Sequence, residues 1–136
     1  MFEFLKDLAG APLVATDEYY MTNSEAVTRG EALYFSSGRL TKAVGGSAVA
    51  AIAMQTKAAG TDVKVKVALV TATQIWRVGY TGTPDVAFIV GQNAADIDTT
   101  GLLINAADVT GGAFAIMAKN TTNTKVDVMV KNRQLN

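Results

Sequence analysis

The chain has 136 residues, of which 49% are apolar and 18% charged, with twelve basic and twelve acidic side chains in balance. That length suits one domain with a core of its own, and zero net charge leaves no broad positive field to hold a phosphate backbone, which argues against a nucleic-acid partner. With no His and no Cys, imidazole bases, thiolate nucleophiles, disulfides and the usual zinc ligands are excluded together.

In chain order, Phe2, Leu5 and Ala9 recur at helical spacing, as do Phe4 and Leu8, so residues 2 to 9 predict a short amphipathic helical turn. Gly10 and Pro12 break it. Residues 1 to 16 therefore read as an arm ahead of a domain spanning residues 17 to 136. Two readings of the arm stay open: a strap across its own body, or a segment that docks on a neighbouring subunit. Interruption by Glu3, Lys6 and Asp7 argues against a signal peptide, and no run of about 18 apolar residues is present to span a bilayer. Synthesis and folding in the cytosol, with no membrane partner, are expected.

From Asp17 onward short runs of β formers alternate with Gly, Asn, Asp and Thr. Strands are expected near residues 17 to 22, 31 to 35, 48 to 55, 63 to 69, 74 to 80, 86 to 90, 101 to 105, 112 to 118 and 125 to 131. The pattern is clearest where Val63, Val65, Val67 and Leu69 alternate with lysines, and again at Val126, Val128 and Val130, each a strand with one wet face. Turns at Arg29-Gly30, Ser37-Gly38, Gly45-Gly46, Ala59-Gly60, Gly82 to Asp85 and Gly111-Gly112 come at hairpin spacings and favour antiparallel pairing. The expected fold is all-β: a compact antiparallel barrel or sandwich. Residues 43 to 60 are rich in Ala and Gly, which permits close backbone approach.

The hairpin RGEALYFSSGRLTKA, residues 29 to 43, places Leu33 and Phe35 on one face and Ala32 and Tyr34 on the other. Apolar side chains on both faces predict a strand inside an assembly, and Arg29, Arg39 and Lys42 are then rim contacts to acidic neighbours or solvated charges. Tyr19 and Tyr20 point to opposite faces of an extended chain, so one is exposed or at an interface. Trp76, between Ile75 and Arg77 and close to Val78, reads as core rather than as a stacking platform.

Tests for chemistry are weak. Asp96, Asp98 and Gly101 occupy the first, third and sixth places of a calcium loop, but Thr100 and Ala107 stand at the fifth and twelfth, so local Asx turns explain the acids better. As nucleophiles, Ser36, Ser37 or Ser47 would need Lys, Asp or Glu as base in the absence of His, a Ser37 and Lys42 dyad being one such arrangement. GGSAVAA lacks the lysine of a phosphate loop. Acid pairs such as Asp17 with Glu18, or Glu25 with Glu31, lack the aromatic platforms of a glycosidase. Asn120-Thr121-Thr122 reads as a hairpin loop. The chain is expected not to be an enzyme and to need no cofactor or metal.

The stretch VTRGEALYFSSGRLTKAVGGSAVAAIAM, Val27 to Met54, and the stretch VGQNAADIDTTGLLINAADVTGGAF, Val90 to Phe114, resemble small tailed-phage head proteins that decorate or cement the capsid. These are turn and strand motifs, not a catalytic signature, and together they cover about half of the chain. The resemblance implies a β-barrel or β-tulip subunit, a homo-oligomer with a trimer favoured, that binds the major capsid protein on the outer surface of a mature virion head. The arm is then the first candidate for capsid contact, although the resemblance carries over no contact list; the candidate capsid or subunit contacts are Phe2, Phe4, Leu5, Leu8, Tyr19, Tyr20, Arg29, Arg39 and Lys42. A phage tail or neck subunit and a carbohydrate-binding module using Trp76, Tyr80 or Tyr34 are the alternative readings.

Overall fold

The computed structural model describes residues 1–15 and 17–135; the expected domain boundary at Thr16 and the last residue, Asn136, lie outside the described residues. The described chain is all-β, with eleven strands and no helix. They are β1 (Glu3–Asp7), β2 (Asp17–Tyr20), β3 (Ala32–Ser36), β4 (Arg39–Lys42), β5 (Ala51–Ala53), β6 (Lys64–Leu69), β7 (Gln74–Thr81), β8 (Asp96–Ile97), β9 (Ile104–Asn105), β10 (Phe114–Asn120) and β11 (Lys125–Val130).

Two sheets form. One runs β2-β6-β5-β3-β4 and is partly curled, with an isolated bridge between Met21, just beyond β2, and Leu40 of β4. The other runs β10-β11-β7-β9-β8, with β1 on the same edge of β7 as β9. All pairings between strands are antiparallel except β7 with β9.

Strand alternation divides the interior in two. Met21, Leu33, Leu40, Ala51, Val65 and Val67 fill the inside of the curled sheet. Ala32, Ile52 and Ala68, from the opposite face of β3, β5 and β6, join Trp76, Val78, Phe114, Ile116 and Val128 of the second sheet in a larger core. The doubly apolar β3 is thus buried within its own chain, because the second sheet covers its outer face. Ala32 and Leu33 are buried on opposite faces, as the pattern predicts, while Tyr34 and Phe35 are partly buried.

Three sequence expectations change. Residues 2 to 9 are not helical: Glu3 to Asp7 pair antiparallel with Arg77 to Gln74, with a bulge that leaves Leu5 unpaired. Phe2 and Phe4 share a face at a strand's period of two, whereas the 2/5/9 and 4/8 spacings suit a helix, and the free edge of β7 decides between them. Residues 86 to 90 form a loop rather than a strand. The 48 to 55 and 101 to 105 runs shorten to three-residue and two-residue strands.

Candidate functional site

The sequence-derived contact residues separate into two groups. At the N terminus, Phe2 is buried and stacks on Phe114 with 5.1 Å between ring centroids. Its amide donates to Gly30 O at 2.8 Å. Phe4 meets the buried Trp76 edge to face at 5.6 Å. Phe2 thus belongs to this chain's core and Phe4 packs against it, partly buried. Leu5 and Leu8 do face outward, as does Val14 further along. Exposed Arg29 joins Met1, Phe2, Phe4, Leu13 and Met54 around a cavity of about 600 Å³. Burial holds the Met1 ammonium below its ordinary pKa.

The second group lies at the ends of the curled sheet. Tyr19 packs edge to face on Phe35 at 5.1 Å, while Tyr20 is exposed beneath two cations, Arg39 at 5.3 Å and Lys64 at 4.9 Å from its ring centroid. Arg39 also donates to Met21 O and Asn23 Oδ1 and pairs with Asp62. Glu25 accepts from the Lys42 amide at 2.7 Å and from Thr41 Oγ1 at 2.6 Å. The Lys42 ammonium sits 3.8 Å from the buried Glu31. Burial raises the Glu31 pKa, opposed by the Thr28 amide and by Lys42. The acidic neighbours expected for Arg39 and Lys42 therefore belong to the same chain, where they seal the sheet ends. Lys42 is directed at Glu31, which leaves no support for a dyad with Ser37.

Sequence reasoning missed the most exposed apolar surface. The segment after Thr83-Pro84 makes an Asx turn, with Ala87 N donating to Asp85 Oδ1 at 2.8 Å and Phe88 N to Asp85 O at 2.9 Å. Phe88 is then fully buried against Tyr80, with 5.1 Å between centroids. Lys119 lies 4.9 Å over the Phe88 ring and donates to Phe88 O at 2.8 Å. Gly91 N bonds Ile116 O at 2.9 Å, and Ile116 N bonds Gln92 O at 2.7 Å. With the loop clamped in this way, Val86 is 94% exposed, and Ile89, Val90 and Met117 are each exposed beside it. The available signal was a five-residue apolar run, VAFIV, with no polar alternation, directly after a Thr-Pro-Asp turn.

Next to this loop, Arg77, Lys119, Asn120, Asn123, Lys125 and Asp127 line a groove of about 320 Å³. Arg77 makes a bidentate pair with Asp127 at 2.8 and 3.0 Å, leaving Lys119 and Lys125 as its net positive charge. In the former calcium-like segment, Asp98 Oδ1 accepts from the amides of Thr100 and Leu103 and from Thr100 Oγ1, the local capping expected of a polar turn. Among the described residues no three Asp or Glu side chains converge to hold a metal, and no helix is long and apolar enough to cross a membrane. No family model and no curated protein matches the chain.

Proposed function

We propose that this chain is a structural subunit that coats the outside of a mature phage head and stabilises contacts between major capsid proteins. The sequence resemblance supports it at Val27 to Met54, which supply β3, β4 and β5, and at Val90 to Phe114. The observation that carries it is a rigid β body whose N-terminal strand is pinned by Phe2 and Phe4 while Leu5, Leu8 and Val14 stand outward. Large apolar side chains held outward on an ordered scaffold are what a binding surface requires. In this reading the curled sheet is a closed barrel or tulip-like body, Leu5, Leu8 and Val14 are the outward residues of the arm, and three copies associate on the shell. No cofactor and no catalytic step enters. Stabilisation is mass action: a ligand that binds only the assembled lattice lowers its free energy, and many modest contacts add over the shell.

The test is saturation co-sedimentation with mature shells and with unexpanded precursor shells from the same source. Binding at a regular lattice stoichiometry on mature shells alone is expected. Absence of binding to either form would overturn decoration and return the chain to the tail-subunit or glycan-module readings.

A further inference from the structure

We propose that the loop of residues 85 to 92, together with Met117, is the docking face for a protein surface that presents apolar side chains beside carboxylates. The inference rests on the decoration reading, for which it names a contact face that the arm does not include. Val86, Ile89 and Val90 leave the loop on the solvent side, and Met117 follows Ile116, the residue whose backbone holds Gly91 and Gln92. Met117 is displaced outward by the bulge between Ile116 and Ala118. The loop and the strand that holds it thus expose four large apolar side chains together, and an apolar patch of a few hundred Å² on a monomer is often functional.

The patch is preorganised. Phe88 plugs the core beneath it, Asp85 closes the turn, and Lys119 ties Phe88 O to β10. A surface already held in its binding shape loses little conformational entropy on docking. A flexible loop of the same composition would instead fold its apolar residues inward.

Charge identifies the occupant. Lys119 both clamps the loop and lines the adjoining groove, where Lys125 also stands, while Arg77 and Asp127 neutralise each other. The loop's own carboxylate, Asp85, is turned to the Ala87 amide. With Lys119 spent on Phe88, Lys125 gives the groove beside the patch its positive charge, which matches a carboxylate on the partner. The patch is also smaller than the ~800 Å² per partner of a standard stable complex. One such contact is weak alone, which suits a partner that repeats, as a shell does.

The experiment is quantitative binding to mature shells of the full-length protein, of V86D/I89D, of V86D alone and of K125E, each checked for unchanged thermal unfolding. Both aspartate substitutions fall on exposed side chains, and V86D serves if the double variant does not fold. Expected is a loss of at least about tenfold in affinity for V86D/I89D. A weakening of about threefold is expected for K125E, one that fades as salt rises. Unaltered shell binding by the aspartate variants, with the parent protein binding, overturns the docking face and leaves decoration standing. Loss of self-association with unchanged shell binding also overturns it, since the face is then a contact between copies. If the parent protein does not bind shells, the decoration reading fails and the docking face fails with it.

Discussion

Asp96 is only 9% exposed, and its Oδ1 has no hydrogen-bond donor, while the carboxylate of Asp108 lies close by. Burial first, and then Asp108, pushes the Asp96 pKa up; the amide and hydroxyl of Thr110 hold Asp108 below its ordinary value. A proton on Asp96 directed at an ionised Asp108 satisfies both groups. Since the folded Asp96 pKa is raised, its contribution is present at low pH and is lost as pH rises beyond the ordinary carboxylate range through the folded value. Replacement D96N keeps a donor there at every pH. It is expected to raise the unfolding free energy above neutral pH by about 1 kcal/mol, the worth of one hydrogen bond, and denaturant titrations at acid and alkaline pH check this. Gly112 offers the opposite case: a Cβ there would overlap the Ala95 carbonyl. Gly112→Ala is therefore expected to lower the melting temperature sharply, because the obstruction is backbone and cannot swing away.

At the scale of the element, β1 is the informative strand. It completes the edge of β7 and brings Phe2 onto Phe114 and Phe4 onto Trp76, so its removal opens the larger core. Truncating residues 1 to 16 would confuse loss of fold with loss of contact. Phe2→Ala is expected to cost about 3–5 kcal/mol, as for other buried aromatic rings, measured by chemical unfolding. Leu8→Ser, at a 58% exposed side chain, is expected to change stability by less than about 0.5 kcal/mol. The pair L5S/L8S isolates the outward face of the arm: unchanged unfolding with reduced protection of mature shells against heat is the expected outcome. Full protection by that variant would leave the arm a strap alone.

For the whole molecule, two cores share three strands. Small residues make this workable: Ala51 and Ala53 face into the curled sheet, and Ala32 and Ala68 face the second sheet, so both layers approach closely. Gln134 fastens the C-terminal segment by bonding both the amide and the carbonyl of Phe35, at 2.6 and 2.7 Å. Gln134→Ala leaves Phe35, which β3 carries beyond its pairing with β5, short of two partners at a solvent-exposed position and is expected to cost about 1 kcal/mol, with faster amide exchange at Phe35 as the local readout. Ties of this kind hold β1 and the 85 to 92 loop at fixed positions, as the proposed shell contacts require.

Local pattern alone determined the all-β class, most strand positions, the turns, the core role of Trp76 and the burial of β3 on both faces, because period-two alternation and turn chemistry act over a few residues. It also separated Tyr19 from Tyr20. Only the tertiary structure decided what covers each buried face. The free edge of β7 drew Glu3 to Asp7 into a strand where their spacing alone allowed a helix, and the acids that meet Arg39 and Lys42 arrive from distant parts of the chain. The run VAFIV has the composition of a strand, but pairing with the edge of β10 through Gly91 and Gln92 alone, and the single plug of Phe88, turn it into an exposed loop. Exposure of an apolar side chain depends on which neighbours the fold brings to it, and that information lies in long-range contacts that no local stretch contains.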